Sequence, residues 1–148
     1  MSLWHERYIK LAKEVSTWSK DPSRKIGAVA IGQQGQVLSQ GYNGFPRGVL
    51  DTPERYNDRV KKYQMVVHAE MNCIYNATYS GVSLNGSTLY VWGLPVCNEC
   101  AKGVIQVGIK NVIWATDEGI SDVWIESYIL TQALFNEVGI NIHNHILK

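Results

Sequence analysis

Apolar residues recur along the chain with two different periods, and the changes between them divide it into elements. From about Leu3 to Ser19, the positions Leu3, Ile9, Leu11, Ala12, Val15 and Trp18 fall where a helix would carry one apolar face, and Asp21-Pro22 ends it. The period then shortens. Ile26-Gly-Ala-Val-Ala-Ile31 and Gln36-Val-Leu-Ser-Gln-Gly-Tyr42, joined by a Gly-Gln-Gln-Gly turn, predict two β-strands with a tight connection. From Asn43 to Gln64 the chain is rich in Gly, Pro, Asp, Asn and Arg, which predicts a long polar loop outside the core with one short helix.

The apolar stretch around His68 predicts a buried helix, Ser87–Trp92 a third strand, and the segment opening at Cys97 another helix. Val112–Ala115 reads as a fourth strand, Ile120–Val138 as a helix and Gly139–His143 as a last strand. Strands that first follow one another and later alternate with helices predict a mixed sheet covered on both faces. The expected fold is α/β, a three-layer α/β/α sandwich around a mixed central sheet of about five strands. With 148 residues, 45% of them apolar, the chain has enough core for one compact domain, residues 1–148, and no linker divides it.

Charge and cysteine usage narrow the function. A formal net charge of +1 argues against a nucleic-acid partner held by broad electrostatics, and no apolar run is long enough to cross a bilayer. Three cysteines give no disulfide framework, and Met1-Ser-Leu-Trp-His-Glu6 lacks the basic-then-apolar pattern of a signal peptide. The expected location is the cytoplasm, or the host cytoplasm for a phage-encoded protein.

The chemistry is concentrated in two short motifs, His68-Ala69-Glu70 and Pro95-Val96-Cys97-Asn98-Glu99-Cys100. One imidazole and two thiolates give a soft divalent metal three protein ligands and leave a fourth tetrahedral position for water, as in a catalytic zinc site. Glu70 would then stand beside the metal without binding it, as the acid–base group. Cys97 and Cys100, three apart at the start of a helix, would share one face, where the positive helix end favours thiolates. H-x-E followed by P-C-x-x-C is the signature of zinc deaminases acting on nucleobases. Here Val96 separates Pro95 from Cys97, which lengthens the approach to the ligand helix. Cys73 reads as a small buried helix residue, and His143 and His145, an H-x-H whose rings would share one side of a strand, read as a weak alternative metal pair.

With Trp18-Ser-Lys-Asp-Pro-Ser23, Lys25-Ile-Gly-Ala28, Gly41-Tyr-Asn-Gly-Phe-Pro46, His68-Ala-Glu-Met-Asn72, Thr88-Leu-Tyr-Val91 and Cys97-Asn-Glu-Cys-Ala-Lys102, the chain resembles the deoxycytidylate (dCMP) deaminase family within the zinc-dependent cytidine deaminase superfamily. The resemblance implies hydrolysis of dCMP to dUMP and ammonia for thymidylate synthesis, with one Zn2+ per subunit on His68, Cys97 and Cys100 and Glu70 as proton carrier. It also implies substrate contacts at Asn43 and Ala69. A homo-oligomer is implied, a hexamer, activated by dCTP and inhibited by dTTP with Mg2+ through Gly41, Tyr42, Asn43 and Gly44. For the phosphate, Arg24 and Lys25 beside the proline-fixed turn are the expected cations, Arg24 first because a guanidinium suits bidentate geometry. The competing functions are deamination of a free nucleoside or a tRNA base, and a non-catalytic zinc protein that binds nucleotides as a regulator.

Overall fold

The computed structural model describes residues 2–147. Helix α1 (Ser2–Ser16) leads into strands β1 (Gly27–Ile31) and β2 (Val37–Tyr42). Two short helices, α2 (Pro53–Asn57) and α3 (Arg59–Met65), precede α4 (Ala69–Tyr79). The chain continues through β3 (Thr88–Trp92), α5 (Asn98–Gln106), β4 (Asn111–Ala115), α6 (Asp122–Val138) and β5 (Asn141–Asn144). The five strands form one sheet in the order β2-β1-β3-β4-β5. β1 is antiparallel to both β2 and β3, whereas β3, β4 and β5 run parallel, so the sheet is mixed as expected.

The three central strands are buried on both faces, which is why they read as unbroken apolar runs rather than alternating ones. Successive side chains nevertheless go to opposite layers. Ala28, Ala30, Leu89, Val91, Val112 and Trp114 pack with α4, α5 and Phe135 of α6. Val29, Ile31, Tyr90, Trp92, Ile113 and Ala115 pack with Ile9, Ala12 and Val15 of α1. The three layers are therefore unequal, with one helix on one face and three on the other.

Two glycines set how closely the layers approach. A Cβ at Gly27 would press on the backbone of Ala12 and Ser16, where α1 crosses β1. A Cβ at Gly41 would run into the backbone of α4 at Cys73 and, at 2.7 Å, into the carbonyl oxygen of Ala69. The second contact holds β2 against the helix that begins beside His68.

The segment from 43 to 64 departs from the expected loop. It folds two helices rather than one, and it is not excluded from the core: Tyr56 is buried against Phe45, ring centroids 4.3 Å apart, and Lys62 is buried as well. Its start signals are local. Thr52 accepts from the Arg55 amide with Pro53 in the first turn, and Asp58 accepts from the Lys61 amide. The segment is tied back to the sheet by a bridge between Gly44 and Val67.

Candidate active site

His68, Cys97 and Cys100 meet where α4 and α5 begin. His68 is the N-cap of α4 and Cys97 the N-cap of α5, so both stand just outside the helices that the sequence predicts around them. Cys97 precedes α5 and Cys100 lies in its first turn, with both sulfurs toward His68; the Cys100 amide donates to Cys97 Sγ at 3.4 Å, which closes the pair into a small loop. Both sulfurs lie 3.4 Å from His68 Nδ1. Zinc–nitrogen and zinc–sulfur lengths of about 2.0–2.1 and 2.3 Å at a tetrahedral angle would set nitrogen and sulfur about 3.5 Å apart, so the triangle fits that ion. Among the described residues this is the one group of three or more His, Cys, Asp or Glu side chains whose ligand atoms all lie within 4.8 Å of one another.

The three ligand side chains shift one another's protonation. The hydrogen bond from Cys100 pulls the Cys97 thiol down to about 4 against the opposing effect of burial, with His68 adding to the fall. The same bond and burial push Cys100 up. Cys97 in turn raises His68 to about 9, against the lowering effect of burial. A divalent ion binding here would displace the remaining protons.

Glu70, in the first turn of α4, lies outside the ligand cluster but lines the same cavity as His68 and Cys97. Burial raises its carboxyl to about 7, the negative Cys97 adds to the rise and His68 opposes it. Ala69 lines the cavity between them and is fully buried.

Val96, the residue that lengthens the approach to Cys97, is buried in the core, and its carbonyl accepts from Thr131 Oγ1 at 2.9 Å. Four residues earlier on α6, Ser127 Oγ accepts from the Asn98 amide at 2.9 Å and donates to the Asn98 side chain at 2.6 Å. Two hydroxyls of α6 thus fix the backbone on either side of Cys97. Neither was legible beforehand, because Ser and Thr inside a helix carry no signal of what they reach across the fold.

The cavity has a volume of about 440 Å3, within the range that holds a small ligand. Asn43 lines it but is engaged in the scaffold: Oδ1 accepts from the Ile26 amide at 2.9 Å and Nδ2 donates to the Arg24 carbonyl at 2.9 Å and to Asp21 at 3.4 Å. Arg24 lines the cavity too, while Lys25 does not; the Lys25 ammonium bonds the Ser19 carbonyl.

The Gly41–Gly44 segment is built into the same corner. Gly41 packs on α4, the Tyr42 carbonyl accepts from Asn72 at 2.8 Å, its ring meets Trp18 edge-on, and Gly44 pairs with Val67 beside His68. Residues missed from the sequence complete the walls: Arg59, Lys62 and Tyr63 of α3, and Trp124 of α6.

The other candidate ligands lie elsewhere. Cys73 is fully buried and its thiol is pushed up to about 12 by burial, as suits an inert core residue. His145 faces Glu6 at 2.9 Å, with the His143 ring 6.4 Å away, and neither belongs to the metal cluster.

Comparisons with known proteins agree with this corner. The family model for the cytidine and deoxycytidylate deaminase zinc-binding region matches residues 2–116. Human deoxycytidylate deaminase is 38% identical over 152 residues, covering 98% of this chain and 81% of that protein. The apo crystal structure of dCMP deaminase from cyanophage S-TIM5 superposes with a TM-score of 0.73 at 25% identity, covering 95% of each chain. The same enzyme in complex with dCMP and dUMP gives 0.70 at 25% identity, covering 94% of each. A family match that takes in both ligand motifs, together with the His68–Cys97–Cys100 triangle beside a buried Glu70, places the chain in the cytidine and deoxycytidylate deaminase family.

Proposed function

We propose that the protein hydrolyses dCMP to dUMP and ammonia, using a zinc ion held by His68, Cys97 and Cys100. The observation that carries this reading is a cluster of three metal ligands, two of which, His68 and Cys97, line one cavity together with a buried non-ligand carboxylic acid. Similarity to dCMP deaminases, one of them solved with dCMP and dUMP, selects the nucleotide.

Zinc bound here would supply an acidified water as nucleophile. The chain's own residues do the rest. Glu70, buried and free of the metal cluster, accepts one proton of the water and delivers it to N3 of the cytosine ring so that C4 becomes electrophilic, then takes the second proton from the hydroxyl added at C4 and passes it to the amino group. One water is consumed, the C4–N bond breaks and ammonia leaves. Leu94, Pro95 and Trp124 wall the cavity with apolar surface and keep bulk water from the reacting atoms, while the α4 start at Ala69 sets the floor on which the base rests.

The reading extends to cytoplasmic dTMP-precursor synthesis in a regulated homo-oligomer, a hexamer with dCTP as activator and Mg2+-dTTP as inhibitor. What supports regulation through Gly41–Gly44 is the continuity from half-exposed Tyr42 to the Gly44–Val67 bridge next to His68. What supports assembly is uncovered apolar surface at Tyr75 and Tyr79 of α4 and at Val123 and Ile129 of α6. The deciding experiment follows absorbance as zinc-loaded protein meets dCMP, CMP, deoxycytidine or a tRNA anticodon hairpin, then repeats dCMP with dCTP or dTTP. Fastest turnover of dCMP is expected; preference for the hairpin or the nucleoside would overturn the assignment.

A further inference from the structure

We infer that Arg59, on α3, recognises the 5′-phosphate of the substrate, and that Arg24 and Lys25 are scaffold cations; the inference rests on the dCMP reading. Three cationic side chains line the cavity: Arg24, Arg59 and Lys62. They differ in what they already hold.

Lys62 is spent on Asp21. The two side chains are 9% and 5% exposed and pair at 2.8 Å. Recruiting Lys62 to a phosphate would strand a buried carboxylate, whose other bonds go to the Ser23 and Arg24 amides and to Asn43.

Arg24 is spent on the loops that follow β3 and β4. One terminal nitrogen donates to the Gly93 carbonyl at 2.7 Å and to Thr116 at 3.2 Å, and the other lies 3.4 Å from the Gly119 carbonyl and 3.6 Å from Glu118. Three of its four contacts are therefore scaffold oxygens, and the fourth is an acid that already offsets its charge. Lys25 does not reach the cavity.

Arg59 is in the opposite condition. Among the described residues it makes no ion pair, and the acid beside it, Asp58, is engaged with the Lys61 amide. Its side chain is exposed at the cavity wall with a full fork of donors, the geometry that takes two oxygens of a phosphate at once. Placement agrees as well: Arg59 opens α3, the far end of that helix runs through Val66 and Val67 to His68, and Arg59 and His68 line the same cavity.

Steady-state kinetics of the zinc-loaded wild type, Arg59→Ala, Arg59→Lys and Arg24→Ala with dCMP and with deoxycytidine test this. Loss of one bidentate charge-assisted contact should raise KM for dCMP about 10- to 100-fold in Arg59→Ala. The value of kcat/KM for deoxycytidine should stay within about twofold, because no phosphate is present to be recognised. Arg59→Lys should recover only part of the loss, since an ammonium cannot make the fork. Arg24→Ala should lower Tm and impair both substrates alike. Binding of dUMP against deoxyuridine, measured by calorimetry, should repeat the Arg59 ratio without turnover. A wild type that handles deoxycytidine as well as dCMP overturns the dCMP reading itself. A wild type that prefers dCMP, with Arg59→Ala losing nothing or losing equally on both substrates, overturns the role of Arg59 alone.

Discussion

The metal corner and the α2–α3 wall of the same cavity are built by opposite means. The corner hangs from helix starts that pack on the central sheet: Ala69, Cys73, Cys100 and Ala101 are all buried, and α6 clamps the backbone around Cys97 through Ser127 and Thr131. The wall is a short-helix excursion with Asp58, Arg59, Val60 and Lys61 in solvent, fastened by the Gly44–Val67 bridge, the Phe45–Tyr56 stack and the Asp21–Lys62 pair. Chemistry needs atoms fixed within a fraction of an ångström and is placed on buried regular elements. Recognition of a flexible, charged tail of the substrate tolerates looser support, and it is found on the exposed wall.

The contrast is sharpest in the size of the expected losses. Glu70→Gln keeps the shape of the corner and removes its proton carrier, so kcat for dCMP should fall about 10³- to 10⁴-fold with zinc content unchanged. A near-normal rate with zinc retained would remove Glu70 from the mechanism and leave a nucleotide-binding zinc protein. On the wall, Lys62→Met leaves Asp21 charged and buried without its cation. That should cost about 3 kcal/mol of stability in urea unfolding, and the Asp21→Asn, Lys62→Met double variant should regain much of it. Equal losses in the single and the double variant would mean the pair contributes packing rather than charge.

The corner was legible in the sequence because its signals are local and unusual in combination. His68, Glu70, Cys97 and Cys100 are chemically conspicuous, and the strands announce themselves through apolar residues that must satisfy two layers. Finer geometry was not legible: whether a ligand sits inside a helix or caps it depends on backbone angles that residue identity does not fix. His68 and Cys97, both extended at the N-cap, stand just outside the helices that the sequence predicts around them. The wall was obscured for a physical reason. Polar composition predicts exposure, yet Lys62 is buried by pairing with a residue 41 positions away, a contact invisible to local pattern. Thr52-Pro53 and Asp58 start α2 and α3 through local bonds, whereas Arg24 is held by partners as far as 95 positions away.

The smallest expected effect lies in the clamp. Thr131→Val removes the donor to the Val96 carbonyl and should cost about 1 kcal/mol in stability. Because Val96 adjoins a ligand, zinc affinity measured by chelator competition should also fall, by about tenfold. Unchanged affinity would confine Thr131 to packing and leave the lengthened approach to Cys97 held by the core alone.

Zinc content against turnover tests the central claim most directly. Purified protein should contain one zinc per chain, lose dCMP deamination in step with its removal by a chelator, and regain it on stoichiometric zinc. Folded protein that lacks the metal, or that deaminates dCMP equally well after complete removal, would contradict the account.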